Sequence, residues 1–191
     1  MKVDFLNSKK KYNVFYADPA WEYKNKKTGG GMNSGASSKY KTMSTDEICE
    51  VPIREHSEKN SVLFLWCTTP LIQEGFRVME EWGFKYKTMI VWVKESKDLD
   101  ITGWGFWFRT ATEVLLLGIK GKVEAFHSLR TNVIRHQKMG HSVKPDIFRK
   151  IIEESTTQFG KKRKMIELYA RSHPNKKEYK KKWSYYGDQY H

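Results

Sequence analysis

Asp18-Pro19-Ala20-Trp21 places an acid, a proline and an indole directly after the apolar run Tyr12 to Ala17, YNVFYA. In an open α/β sheet, ligands gather beyond the carboxyl ends of strands, where loops supply polar groups. A carboxylate and the Pro19 carbonyl at that position are two acceptors on a stiff turn, because proline fixes φ. Trp21 adds a flat face for stacking, worth roughly 1–3 kcal/mol against a base. One ligand that fits is an exocyclic amino group on an aromatic base. Its lone pair is delocalised into the ring, which makes it a poor nucleophile. Hydrogen bonds from its two protons to Asp18 and the Pro19 carbonyl would favour a pyramidal nitrogen able to attack an electrophile in line. Positioning would then supply much of the acceleration.

The elements that must hold this motif read as an alternation of β-rich runs and helical patterns. After the first strand comes a Lys-, Gly- and Ser-rich loop, about residues 24–40, too polar to pack and too irregular for a phosphate-binding loop. It is expected to act as a flexible flap beside the pocket. MSTDEICEV is a short helix with Ser44 as N-cap and Glu47 at capping-box spacing. SVLFLWC, Ser61 to Cys67, is the next strand. Thr69 is expected to cap a helix with Pro70 at its first position, Ile72, Phe76 and Met79 on one face, and Gly83 at its end. YKTMIVWVK and ATEVLLLGIKG are further strands. VKPDIFRKIIEES is a helix with Ile147, Ile151 and Ile152 inward, and KMIELYA is a last strand.

Bulk composition narrows the partner class. The 191 residues suit one domain over 1–191, closing in a basic aromatic segment of about residues 171–191. Thirty-five Lys and Arg against 22 Asp and Glu give a net charge of +13, which attracts polyanions. Nucleic acid leads. No long apolar span or lipidation signal supports a membrane, and the start is no secretory signal. Cys49 and Cys67 form neither a disulfide framework nor a metal cluster. His127, His136 and His141 lack acid or Cys partners at ligand spacing, so no metal is expected.

DPAW resembles the Asp-Pro-Pro-Trp motif of S-adenosylmethionine-dependent adenine amino-methyltransferases. More narrowly, the chain is similar to the MT-A-type family, which contains the catalytic subunit of the eukaryotic messenger-RNA adenosine methyltransferase and small bacterial and phage relatives. The likeness runs from about Val14 to Gln189 through YKTMSTDEI, LFLWCTTPLI, IVWVK, GFWFRTATEVLLLGIKG, SVKPDIF, KMIELYAR and YYGDQ. Each is weak alone, and their order and spacing together are specific. The resemblance implies an α/β, Rossmann-like methyltransferase fold with permuted motif order, the catalytic motif preceding the cofactor-binding strand.

It also implies S-adenosylmethionine as cofactor and methyl transfer to adenine in DNA. Methylation of RNA and a catalytically silent nucleic-acid-binding subunit are the alternatives. Asp18, Pro19, Ala20 and Trp21 match the catalytic motif. Asp18, Lys144, Glu167, Arg171, His173, Asp188 and Gln189 match cofactor contacts, with Glu167 as the acid for the ribose hydroxyls. Trp21, Tyr23, Arg109, Glu113 and Lys144 border the acceptor nucleotide. Ala20 stands for a second proline, Asp188 stands for an asparagine, Pro174 follows the His where the family has a polar residue, and no Gly-x-Gly follows IELYA.

A cytoplasmic protein of a bacterial host cell is expected, with a homodimer or a heteromeric partner subunit left open. Trp66, Trp82 and Trp92 are expected in the core. Trp104 and Trp107 read equally as packing or as a substrate surface. Glu113 reads equally as a salt-bridge partner or an acceptor contact. KKRK, Lys161 to Lys164, and KKEYKKKW, with Tyr179, Trp183 and Tyr185 interleaved or following, are expected to touch phosphates.

Overall fold

YNVFYA forms strand β1, Tyr12–Ala17, with all six residues buried, as a strand covered on both faces requires. The computed structural model describes residues 4–23, 42–95, 107–138, 143–170 and 182–187. After β1 come helix α1 (Thr45–Cys49), β2 (Ser57–Cys67), α2 (Ile72–Glu81), β3 (Lys85–Glu95), β4 (Thr112–Lys120), β5 (Val133–Gln137), α3 (Asp146–Ser155), β6 (Met165–Leu168) and β7 (Trp183–Tyr186). The strands make a seven-stranded sheet in the order β5-β3-β4-β2-β1-β6-β7. Its pairings are parallel except where β4 runs antiparallel between β2 and β3. This is the α/β, Rossmann-like sheet expected.

Alternation along each strand feeds two cores. Phe15, Leu63, Leu65, Leu116, Ile166 and Leu168 point to the face covered by α1 and α2, where they meet Ile48, Val78 and Met79. Val14, Tyr16, Phe64, Trp66, Leu115 and Met165 point to the opposite face, against Phe148 and Ile152 of α3. Trp66, Trp82 and Trp92 are core, and each indole N–H has a partner: the Tyr16 hydroxyl, the Ile48 carbonyl and the His136 carbonyl. The capping box at α1 is present in both halves, Ser44 and Glu47 each accepting from the other's backbone N–H.

Three expectations change. Thr69 is no helix cap, because Thr69–Leu71 is a 3-10 turn that Pro70 helps start and α2 begins only at Ile72. β5 and β7 add edge strands where the sequence shows no clear alternation. β7 also buries Trp183 and Tyr185. Trp183 donates its indole N–H to Glu153 at 2.8 Å, so neither ring is presented to phosphates. Lys182 pairs with Glu153 and Lys164 with Glu58. Tyr179, Lys176 to Lys181, Trp104 and the 24–40 loop lie outside the described residues.

β4 is long enough to carry its two ends to opposite edges of the sheet. Its far end turns at Gly121, which has φ +72° and sits so close to β2 that a Cβ would lie 2.2 Å from the Lys59 carbonyl oxygen. Both the positive φ and that backbone contact exclude a side chain. Gly121→Ala is expected to cost about 1–3 kcal/mol in thermal or urea unfolding. Since Glu113 lies at the other end of β4, the variant's ligand affinities below its melting transition should match wild type.

Candidate active site

The parallel strands end along one edge, and the chain leaves β1 there at Asp18. β6 lies beside β1 with Glu167 opposite Tyr16, which brings the β6 acid two residues from the opening motif's level. β4 is antiparallel, so it arrives at the same edge by its amino end. Its register sets Glu113 opposite Trp92 of β3, next to Lys94. Lys144 enters from the segment before α3, whose N-cap is Pro145.

These residues form one ion cluster. The Lys144 ammonium donates to Asp18 Oδ1 at 2.8 Å and Oδ2 at 2.9 Å, and lies 3.2 Å from Glu113 Oε2. Lys94 binds the other Glu113 oxygen. Only 9% of the Lys144 side chain is exposed. Its ammonium also lies 5.3 Å from the centre of the Trp66 ring, a cation–π contact. Burial works to lower the Lys144 pKa, but Asp18 and Glu113 outweigh it and hold it above the ordinary lysine range. For Glu113 burial works upward, and Lys144 and Lys94 outweigh it, leaving the carboxyl below its usual value. Glu113 is thus salt-bridged to both Lys94 and Lys144, as one of the two readings of it expects.

The second half of the edge is built around Glu167, which is buried. Arg149 of α3 binds both its oxygens, Nε to Oε2 at 3.0 Å and Nη2 to Oε1, and also meets Asp146 Oδ1 at 3.1 Å. Its guanidinium lies 5.5 Å from the centre of the Tyr16 ring. Tyr16 accepts from the Trp66 indole at 2.8 Å, and burial drives its phenol pKa upward. Trp66 and Tyr16 thus join the two ion clusters through one buried contact path.

The DPAW turn is fixed by its own backbone. The Trp21 N–H donates to the Pro19 carbonyl at 3.0 Å, and Met43 pairs with Ala20 and Glu22 on both sides of the isolated bridge Trp21–Met43. Trp21 is buried at 6% exposure, and its indole donates to the Trp66 carbonyl at 3.0 Å. Its ring is a strut of the turn in this state, with most of its surface packed on the core beneath. Ala20 is half-buried and accepts from the Met43 N–H through its carbonyl, a bond that a proline at this position could equally make. Tyr23 stands at the rim with its hydroxyl 2.6 Å from Thr68 Oγ1.

Arg109 lies on the exposed segment leading into β4. Arg171, His173, Asp188 and Gln189 fall outside the described residues. Past Glu167 the chain turns at Tyr169 with φ +60°, a left-handed residue where no glycine is available.

Sequence reasoning missed Lys94 and Arg149. The signals were a lysine closing the IVWVK strand and an arginine one turn before inward-facing Ile152. Among the described residues no group of three or more His, Cys, Asp or Glu is placed to hold a metal, and no helix is long and apolar enough to cross a membrane.

Comparison with known proteins decides the family. Residues 12–189 match MT-A70. The chain belongs to the MT-A70 family. It is 31% identical over 181 residues to the type II methyltransferase M.MunI of Mycoplasma sp, covering 86% of this chain and 74% of that one. It is 30% identical over 175 residues to a putative N(6)-adenosine-methyltransferase MT-A70-like protein of Medicago truncatula. It is 29% identical over 169 residues to the N(6)-adenosine-methyltransferase catalytic subunit METTL3 of Homo sapiens. These two matches cover 90% and 85% of this chain but only about a quarter of each relative, 25% and 26%. MT-A70 membership supports a methyltransferase acting on the adenine N6 position of nucleic acid.

The ion cluster makes a pH prediction. A depressed Glu113 pKa contributes stability that is present above the unfolded carboxylate pKa and lost as pH falls through the folded one. A raised Lys144 pKa contributes stability that persists until pH climbs through its folded value. Wild type should therefore hold this contribution across the whole neutral range. Lys144→Met leaves Asp18 without its buried cation and Glu113 with Lys94 alone, and should cost about 3–5 kcal/mol at neutral pH. Part of that loss should return on mild acidification, when Glu113 takes up a proton. A melting temperature that falls with acid in parallel with wild type would contradict this assignment.

Proposed function

We propose that this protein transfers a methyl group from S-adenosylmethionine to the exocyclic amino group of adenine in DNA. The observation that carries the reading is the buried Lys144 ammonium held between Asp18 and Glu113 at the carboxyl edge, beside the rigid Pro19 turn.

The donor set suits the cofactor. Three cations, Lys94, Lys144 and Arg149, face four carboxylates, Asp18, Glu113, Asp146 and Glu167, which leaves one net negative charge along the edge. That balance favours a cationic donor over a polyphosphate. Lys144 would bind a carboxylate end. Glu167 would accept from ribose hydroxyls, since each carboxylate oxygen keeps a lone pair beyond its bond to Arg149. Arg171, His173, Asp188 and Gln189 would add contacts by family resemblance. When bound, S-adenosylmethionine supplies an electrophilic methyl group on a sulfonium.

The chain's own residues do the rest. Asp18 accepts a hydrogen bond from one N–H of the target amino group, in exchange for part of its bonding to Lys144. The Pro19 carbonyl accepts a hydrogen bond from the other through the lone pair that the Trp21 N–H leaves unused. As the nitrogen–methyl bond forms, the methyl–sulfur bond would break, S-adenosylhomocysteine would leave, and the nitrogen would lose its surplus proton to water. Glu113 retains Lys144 while Asp18 is engaged, so the ammonium is never left buried and unpaired. Trp21, held by Trp66, sets the turn's orientation and borders the base with Tyr23 and Arg109. In duplex DNA the adenine must leave the stack, at a few kcal/mol, and this is cheaper in a single strand.

DNA is favoured over RNA because a compact, basic chain suits a small DNA-modifying enzyme, and a type II methyltransferase matches over most of both chains. A single domain over 1–191, a bacterial cytoplasmic location and a homodimer or partner subunit complete the proposal.

Labelled cofactor incubated with duplex DNA, single-stranded DNA and RNA, followed by nucleoside analysis, tests the substrate. Label should appear in N6-methyladenine from DNA. Label confined to RNA would reverse the assignment. For the cofactor, Glu167→Gln should weaken S-adenosylhomocysteine binding by about tenfold to a hundredfold in calorimetry, the value of charge-assisted hydrogen bonds. Wild-type affinity would remove Glu167 from the cofactor site.

A further inference from the structure

Among the described residues eight large apolar side chains are exposed, and four of them are a site residue or lie within two positions of one in the chain: Tyr23, Trp107, Phe108 and Val143. Trp107 and Phe108 stand out, at 92% and 89% exposure on consecutive residues. Two bare aromatic rings side by side need a partner to be worth keeping. Exposure excludes the packing reading of Trp107. It is not packed.

Their position says what that partner is. β4 enters the site edge by its amino end, so the residues before Thr112 lie beyond the edge, on the side from which an acceptor must approach. Ala111 is tied to β3 through the Lys94 N–H at 2.8 Å, which anchors this segment next to the ion cluster. Six residues separate Trp107 from Glu113, a reach of at most about 20 Å. The bases flanking a nucleotide held at the cluster fall inside that reach. The chain's +13 charge brings polyanions to this surface, and an arginine, Arg109, follows the two rings.

From this we infer that Trp107 and Phe108 stack on the unpaired nucleobases flanking the target adenine. Every base has a π-face, so this contact is tolerant of sequence and adds affinity without a phosphate contact. The inference rests on the nucleic-acid reading above and deepens it. It gives the enzyme a grip on single-stranded or locally opened nucleic acid just outside the catalytic turn.

The test is binding of the full chain to a single-stranded DNA pool of random sequence around a central adenine. A second pool replaces the two flanking nucleotides by abasic residues. The doubly substituted variant Trp107→Ala with Phe108→Ala should bind the first pool about fivefold to a hundredfold more weakly. Its salt slope and S-adenosylhomocysteine affinity should be unchanged, because no phosphate or cofactor contact is lost. Abasic flanks should cost wild type a similar factor and cost the variant little more. Wild-type affinity in the variant, a shallower salt slope, or losses that multiply independently would overturn the inference. So would loss of a wild-type dimer in the variant, since the rings would then cover a second copy. Methyl transfer by wild type to the same pool tests the substrate reading separately, because stacking is read by binding alone.

Discussion

The entry to α3 delivers two cations, Lys144 and Arg149, onto an edge of the sheet that would otherwise hold buried, uncompensated carboxylates. Removing water from a carboxylate costs several kcal/mol unless a partner replaces it. Asp18 and Glu113 share Lys144, while Glu167 and Asp146 share Arg149. The helix's apolar face, Phe148 and Ile152, packs on Trp66, Val14 and their neighbours, and that packing fixes how far each cation reaches. Position, charge and fold are set by the same helix.

The antiparallel β4 is the second requirement. In an all-parallel sheet the residue at the start of a strand lies at the opposite edge from the ligand site. Reversing β4 brings Glu113 to the edge where β1 and β6 end, and sets it against Lys94 on β3. The reversal also carries the segment with Trp107 and Phe108 past the site mouth. A single change of strand direction therefore contributes an acid to the centre and two rings to the rim.

The sequence made much of this legible, for physical reasons. β1, β2, β4 and β6 carry runs of buried apolar residues, which is how buried strands announce themselves, and β3 shows its β-branched run although only Trp92 of it is buried. The MT-A70 pattern was readable because it depends on order and spacing. β7 was not readable, since Trp183 and Tyr185 sit in a lysine-rich context and their burial depends on pairing with β6, distant in sequence. Arg149 was hidden for a related reason. Its role comes from Glu167, eighteen residues later, which helical periodicity cannot reveal. Trp21 shows the opposite error of emphasis: its type suggested a stacking face, whereas its environment makes it first a strut bonded to Trp66.

The account's central claim is that Asp18 orients a target amino group and does not serve mainly to bind the cofactor. Single-turnover methyl transfer by Asp18→Asn, with S-adenosylhomocysteine affinity measured on the same sample, tests it most directly. The variant keeps the shape of the turn and leaves Lys144 paired with Glu113. The account predicts cofactor affinity within a fewfold of wild type and a transfer rate reduced by about a hundredfold or more, the scale of a lost positioned acceptor. A near-wild-type rate, or a loss that appears wholly in cofactor affinity, would contradict it.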